Sequence, residues 1–362
     1  MAPTVAVLGG GYGGISVAKA LDDVADVVLV EPRETFVHNV AALRAAVDPD
    51  WTDRIFIPYD NLLVRGRVLR DRAVRVHPTA VELGSGTRLP VDYLVLATGS
   101  RAPYPAKLDV EDAAGATGKL RATRAELLRA DRVLLLGAGP IGVEFAGELR
   151  SAWPEKSVTV VDPSAEPVTG RFPAAFRAEL AAQLAGLNVE LVLGTALREL
   201  PPTPPGRTGG FTVTTGSGVR ISADIWFPCF GGGVHSDHLG PELRPARRPD
   251  GRLTVTPQLR LPNQETVFAV GDVTAIPELK LARSAHQHAE VVAANIRTLI
   301  RGGGKLSSYR AAPDALVLPL GPKGGVGYDP DAGVLGVGPT VELKGGLFLD
   351  MYRHLLGAAV PD

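Results

Sequence analysis

The chain of 362 residues carries 38 Lys and Arg against 39 Asp and Glu, a formal charge of −1, and is 45% hydrophobic and 21% charged. Those values describe an ordinary globular chain with length for two or three domains; they exclude a disordered or fibrous protein and argue against a general nucleic-acid binder. A single cysteine, Cys229, excludes an internal disulfide framework, a Cys-x-x-Cys redox pair and a cysteine-based zinc site, and fits a reducing, cytoplasmic compartment.

Thr4–Leu8 is a short apolar run rich in β-formers, ended by Gly9-Gly10-Gly11-Tyr12-Gly13-Gly14, after which Ile15–Leu21 reads as a helix. A second apolar run, Val27–Val30, closes on Glu31. Strand, glycine turn, helix and strand make one βαβ unit. Arg75–Leu89 reads as a hairpin-like excursion, and Tyr93–Leu96 as a buried strand running into Ala97-Thr98-Gly99-Ser100. Pro103 and Pro105 mark a link into a new domain. There the same grammar recurs: a strand at Arg132–Leu136, the turn Gly137-Ala138-Gly139-Pro140-Ile141-Gly142, a helix at Val143–Arg150, and a strand at Val158–Val161 closing on Asp162. Pro201–Gly218, rich in Pro, Gly and Thr, reads as loop and turn. Ile225–Phe230 and Thr266–Val270 read as strands, the second ending at Gly271-Asp272; Leu281–Ile300 has helical spacing and is broken by Gly302–Gly304. From residue 305 onward the chain reads as short strands and turns. The pattern predicts an α/β protein with two Rossmann-like dinucleotide-binding domains. One is discontinuous, residues 1–102 and 228–304; the second, 103–227, is inserted in it; a small C-terminal α+β segment, 305–362, follows.

A glycine turn of this kind works through its backbone. The first glycine permits the tight turn, the second lets the main chain approach a diphosphate, the third lets helix and strand pack closely, and the anion rests on the helix N-terminus. Gly9, Gly11 and Gly14 take these places in the first unit, and Gly137, Gly139 and Gly142 in the second. An acid about 20 residues on accepts the ribose hydroxyls, and Glu31 and Asp162 stand at the two strand ends. Two such units predict a flavoprotein that holds FAD in one and a nicotinamide nucleotide in the other. Gly271-Asp272, together with Ala97-Thr98-Gly99, adds a third attachment for FAD, with Asp272 on a ribityl hydroxyl, and so assigns FAD to the first unit. Asp162 would repel a 2′-phosphate, so NADH is expected in preference to NADPH, with Arg171 the residue that could offset it.

These motifs resemble the two-dinucleotide flavoproteins, the superfamily of glutathione reductase-like enzymes, ferredoxin reductases and type II NADH dehydrogenases. Phe36-Val37-His38-Asn39-Val40-Ala41-Ala42-Leu43-Arg44-Ala45 narrows the resemblance to the apoptosis-inducing-factor-like 2, ferroptosis-suppressor-type quinone reductases, as do Leu318–Gly327 and Leu347-Phe348 with Tyr352-Arg353. The likeness spans almost the whole chain. It implies non-covalent FAD, NAD(P)H as donor, a quinone as acceptor and oxygen as a slower one. It implies that Gly9, Gly11, Tyr12, Gly13, Gly14, Glu31, Pro32, Arg33, His38, Arg44, Val74, Ala97, Thr98, Gly99, Gly271, Asp272, Lys280 and Leu281 line FAD. Gly137, Gly139, Ile141, Gly142, Asp162 and Gly231 would hold the nicotinamide nucleotide, with Glu144 as the catalytic-site side chain near the nicotinamide. Phe348, Tyr352 and Arg353 would form a quinone wall. The chain departs from the family at Cys229-Phe230-Gly231, where a Cys-Thr-Gly-like strand end is usual, and at Arg353 or His354, where animal relatives carry Lys.

The hard chemistry belongs to the cofactors, which the protein must stack and shield from water, so no acid–base triad is required. Disulfide reductases carry two cysteines on the helix after the first βαβ unit; His38–Arg44 contains none, which excludes thiol reductase activity. Two rival readings share the same nucleotide sites: a reductase of a small iron–sulfur protein, and a redox-gated binding protein of low turnover. His286 and His288 diverge on a helix, and His235 and His238 lack acidic or cysteine partners, so no metal site is expected. No apolar run reaches the roughly 18–20 residues of a membrane span. With no basic n-region at the start no signal peptide is expected, and with Ala2 where an N-myristoylated chain needs glycine no myristoylation is expected. Leu347–Leu349 and Leu355–Val360 offer apolar surface for the body, for a twin subunit in a homodimer, or for peripheral contact with the cytoplasmic face of a membrane.

Overall fold

The computed structural model describes residues 2–359, so Val360 lies outside the described residues. The apolar runs become parallel strands because their Val and Leu side chains are buried on both faces, which a strand achieves only between covering layers. Thr4–Leu8 pairs in parallel with Asp26–Val30, Val5 opposite Val27, and with Tyr93–Leu96, Val5 opposite Tyr93. The five-stranded sheet runs Val267–Ala269, Tyr93–Leu96, Thr4–Leu8, Asp26–Val30, Arg67–Leu69. Helix α1 (Tyr12–Leu21) makes the crossover and buries Ile15, Val17 and Leu21. On the far side of Thr4–Leu8 the strand order reverses, and at such a switch point an open α/β sheet leaves a crevice at its carboxyl ends. Thr35–Val37 then pairs with Phe56–Pro58, with α2 (Ala42–Val47) and α3 (Pro49–Thr52) between them. The excursion folds as a three-stranded antiparallel sheet of Ala73–His77, Ala80–Leu83 and Arg88–Pro90.

Helix α4 (Ala113–Arg129), which the sequence pattern does not announce, packs on α2 and α3. The second unit repeats the first. Arg132–Leu136 leads into α5 (Pro140–Ala152), Ser157–Asp162 and α6 (Ala174–Gly186), and the four-stranded sheet runs Val189–Leu193, Ser157–Asp162, Arg132–Leu136, Ile225–Pro228. After it comes α7 (Ala282–Ile300), packed against α1.

Two expectations change. Within Pro201–Gly218, read as loop and turn, Phe211–Thr214 is a strand paired antiparallel with Arg220–Ala223. Phe211, Val213 and Ile221 face the core of Leu134, Leu136 and Trp226, whereas Thr212 and Ser222 bond each other outside at 2.9 Å. The two-residue period is there, hidden by the prolines and glycines around it. At the chain's end, three strands (Leu316–Pro319, Gly325–Asp329, Gly333–Leu335) give way to two helices rather than turns, α8 (Val337–Lys344) and α9 (Leu349–Leu355). Gly338-Pro339 looks like a break in sequence, but Pro339 falls in the first turn of α8, where proline is tolerated.

The C-terminal segment fastens the two units together. Leu316, Leu318, Leu320 and Val326 join the core of the second unit beside Phe145 and Phe176. Leu349, Tyr352 and Leu356 join that of the first, beside Ile15 and Phe268.

Candidate functional site

The two glycine turns have the same construction. Gly9 has φ +107° and Gly137 φ +117°, a region that favours glycine. A Cβ on Gly9 would lie 2.5 Å from Ala97 O, and one on Gly137 would lie 2.9 Å from Cys229 O. A Cβ on Gly14 would collide with the Gly9 carbonyl, and one on Gly142 with the Gly137 carbonyl. Gly11 and Gly139 differ from these: nothing lies within 4 Å of a Cβ built there. Protein packing therefore does not demand glycine at either position, and each faces open space at the start of a helix, as a diphosphate cradle requires. The residues present fit a dinucleotide in both units.

Each acid also organises its own turn. Gly10 N–H donates to Glu31 Oε2 at 2.6 Å, and Arg33 N–H to Oε1 at 2.9 Å. In the second unit Ala138 N–H donates to Asp162 Oδ2 at 2.7 Å and Ser164 N–H to Oδ1 at 2.7 Å. Tyr59 OH donates to Gly10 O at 2.8 Å and closes the back of the first turn.

The third expected attachment comes together as a cluster richer than its sequence signal. Ser100 Oγ donates to Asp272 Oδ2 at 2.5 Å, and Lys107 Nζ donates to Ser100 O and Oγ, each at 2.8 Å, while lying 3.5 Å from Asp272. Burial pulls the Lys107 ammonium below its ordinary range, against the attraction of Asp272. Thr98 OH donates to His235 O at 2.5 Å, and Gly99 has φ +67° with open space beside it. Lys280 Nζ donates to Thr274 O at 3.0 Å and Ile276 O at 2.9 Å, so its ammonium folds the Gly271–Leu281 loop back on itself. Leu281 caps the start of α7. Pro32 is half-buried beside Arg33, whose Nη2 donates to Leu108 O at 3.1 Å. Val74 is half-exposed on the antiparallel sheet.

Arg44 is not free for a diphosphate. It is buried, its Nε lies 3.1 Å from both oxygens of Glu148 on α5, and Nη2 donates to Glu148 Oε1 at 2.8 Å. Nη1 donates to Gly345 O at 2.8 Å. The expected diphosphate contact is replaced by a bidentate ion pair joining the two units, because α2 faces α5 across their interface. Burial, with the like charges of Glu144 and Asp48, holds the Glu148 carboxyl above its ordinary range against the pull of Arg44.

Glu144, one turn earlier on α5, accepts from Lys344 Nζ at 2.8 Å, and Lys344 also reaches Val317 O at 3.0 Å. His38 is fully buried, and its Nε2 donates to Leu347 O at 2.7 Å, which leaves Nδ1 facing Tyr12 OH at 3.3 Å. Burial drives the imidazole down to about 4. Tyr12, Phe36, His38 and Tyr352 pack as one aromatic cluster with centroids 4.8–6.3 Å apart. Burial also pushes the Tyr352 hydroxyl up to about 12. Tyr352 is thus a core residue, whereas Phe348, left-handed at φ +60°, is 42% exposed and Arg353 half-buried. Segment 344–348 thereby reaches Glu144, Arg44 and His38 within five residues.

In the second unit Ile141 is half-buried in the first turn of α5, and Gly231 is exposed with open space beside it. Cys229 is buried and its thiol is raised to about 12 by burial, so it is a packing residue and not a nucleophile. Sequence reasoning missed Ser100, Lys107, Glu148 and Lys344. For Arg44 and Glu148 a signal existed: each is a charge inside an apolar run, Ala41–Val47 and Phe145–Leu149.

Two glycine cradles at two sheet switch points, each with a carboxylate at the next strand end, define the two-dinucleotide class of flavoprotein oxidoreductases. The chain belongs to the pyridine nucleotide-disulphide oxidoreductase family, whose model it matches over residues 3–289. It is 30% identical over 377 residues to apoptosis-inducing factor homolog B of Dictyostelium discoideum, covering 99% of this chain and 97% of that one. It is 29% identical over 363 residues to ferroptosis suppressor protein 1 of Taeniopygia guttata, again covering 99% and 97%. The solved structure of NDH2 from Plasmodium falciparum in complex with NADH has a TM-score of 0.75 at 14% identity, covering 98% of this chain and 95% of that one, a likeness of fold. The protein is accordingly an NAD(P)H-dependent flavoprotein oxidoreductase. Among the described residues no helix is long and apolar enough to cross a membrane.

Proposed function

We propose that this protein oxidises NADH through FAD held in the first cradle and passes two electrons to a quinone-type acceptor. The observation that carries the reading is the pair of open glycine positions, Gly11 and Gly139, in a chain without a dithiol. Bound together, the two cofactors supply hydride transfer from nicotinamide to flavin. The chain supplies the rest. Gly11 and Gly139 admit the diphosphates, and Glu31 and Asp162 take ribose hydroxyls with the lone pairs their turns leave over. Asp162 disfavours a 2′-phosphate by like charge, which supports NADH over NADPH. Asp272, neutralised in part by Lys107 and oriented by Ser100, takes a ribityl hydroxyl. Glu144 is pinned by Lys344 through one oxygen and offers the other to the nicotinamide carboxamide. Arg44 and Glu148 hold the two units at a fixed separation.

With no cysteine pair to relay electrons, the acceptor must come to the flavin itself, which favours a small diffusible molecule. Leu343, Phe348 and Met351, 51%, 42% and 50% exposed on the C-terminal helices, give an apolar face suited to a quinone and to peripheral contact with the membrane that dissolves it. The test is NADH oxidation by the purified yellow protein with a panel of quinones, a ferredoxin and oxygen. Fast turnover with quinone and slow turnover with oxygen are expected. Dependence on ferredoxin would transfer the protein to the iron–sulfur reductases, and stoichiometric reduction without turnover would make it a redox-gated binding protein.

A further inference from the structure

Three side chains that the scheme above does not use fasten the turn carrying Asp272. Gly271 N–H donates to His288 Nδ1 at 3.0 Å, inside the core. Nδ1 accepts only when the ring proton sits on Nε2. Nε2 lies 2.8 Å from Glu278 Oε1, close enough for charge but off hydrogen-bond alignment, and these side chains are 1% and 5% exposed. Tyr309 OH donates to the other Glu278 oxygen at 2.6 Å, and its ring stands edge-on to the imidazole, centroids 4.4 Å apart. The chain of contacts thus runs from the segment after α7, through the loop before α7, through α7 itself, to the peptide of Gly271. That peptide needs fixing: Gly271 sits at φ +73°, and the next residue presents its carboxylate to Ser100 and Lys107.

We propose that His288 is a positioning residue for the flavin. Through Nδ1 it fixes the Gly271 peptide and so the aim of Asp272, and the Glu278 carboxylate, held by Tyr309 and 2.8 Å from Nε2, favours by its charge the tautomer with the proton there. The proposal rests on the reading of Asp272 as the ribityl partner. A residue chosen only to fill space would not need an acceptor at Nδ1 or a two-step relay behind it. An unpaired buried N–H, by contrast, costs enough to loosen a ligand hung from the same peptide.

Asn and Gln separate the two ring nitrogens, because the Asn carbonyl falls near the place of Nδ1 and the Gln amide near that of Nε2. FAD release from the diluted holoprotein, followed by flavin fluorescence, is the readout. His288→Leu and His288→Gln are expected to release FAD about tenfold faster or more, and His288→Asn to stay within about threefold of the parent. Release from Leu and Gln variants as slow as from the parent would overturn the proposal while leaving the flavin site intact. Equal acceleration in all three variants would also overturn it, in favour of plain packing. A parent protein that holds no FAD would instead sink the reading beneath it. If the Leu variant does not fold, the contrast between Asn and Gln alone decides.

Discussion

The turn at Gly9–Gly14 and the turn at Gly137–Gly142 share their strained first glycine, their open second one and the same collision that forbids a side chain at the third. Their surroundings differ. Behind the first turn Tyr59 leaves no room for a Cβ on Gly10, Glu31 is buried, and Tyr12 opens α1 inside an aromatic cluster with Phe36, His38 and Tyr352. Behind the second, residue 138 is Ala, Asp162 is only half-buried, and exposed Pro140 opens α5 with no such cluster. One backbone device therefore stands in a sealed setting and in an open one. A resident cofactor calls for the first, and a nucleotide that must leave after each turnover calls for the second. On the proposed assignment the neighbours of the turn, not the glycines, would set the residence time.

The sharpest way to test that contrast is to damage each turn alone. Gly14→Ala places a methyl against the Gly9 carbonyl and should leave the protein colourless or insoluble, whereas Gly142→Ala should stay yellow but resist reduction by NADH. Flavin-to-protein absorbance and anaerobic NADH titration read the two effects; loss of flavin in both would break the comparison. Next in size is the bolt between the units. Arg44→Met strands Glu148 in a buried setting and should cost about 3–5 kcal/mol in urea unfolding; a change under about 1 kcal/mol would show that water reaches the pair.

The sealed setting also has a pH signature. His38 is neutral in the folded protein down to about 4, while in the unfolded chain it titrates near the ordinary imidazole value of about 6.5. Below pH 6.5 the unfolded state therefore binds a proton that the folded state refuses. Stability present at neutral pH is lost as pH falls from 6.5 towards about 4, by about 3 kcal/mol. His38→Gln keeps a donor for Leu347 O and removes the titration, so the urea midpoints of parent and variant should stay close at pH 7 and diverge at pH 4.5, where only the parent has lost stability. The smallest effect belongs to the open setting. Asp162→Ala should raise KM for NADH about tenfold and that for NADPH much less; equal changes would remove Asp162 from the ribose.

The turns, their strands and the α/β class were legible in the sequence because glycine spacing and apolar runs act within about 30 residues. The side chains between the units were not. Arg44 finds Glu148 across 104 residues and Lys344 finds Glu144 across 200. Nothing local encodes such a meeting except a charge placed in an apolar run. The Ser100–Lys107–Asp272 cluster was half legible: the Gly-Asp pair was visible, but Lys107 comes to it only through the fold of the link after Pro103 and Pro105. The hairpin at Phe211–Thr214 and helix α8 escaped because turn-forming residues masked short, correctly phased elements.

Segment 344–348, where Leu347 and Phe348 both take left-handed backbone without being glycine, is synthesised 200 to 309 residues after the side chains it touches. Until it has been made, Glu144 lacks its lysine, His38 its carbonyl and Arg44 one of its acceptors. Both nucleotide-binding halves can emerge and fold one after the other, but the junction between them is completed only once this segment has emerged. A chain truncated before Lys344 would keep both cradles and lose the clasp that closes them.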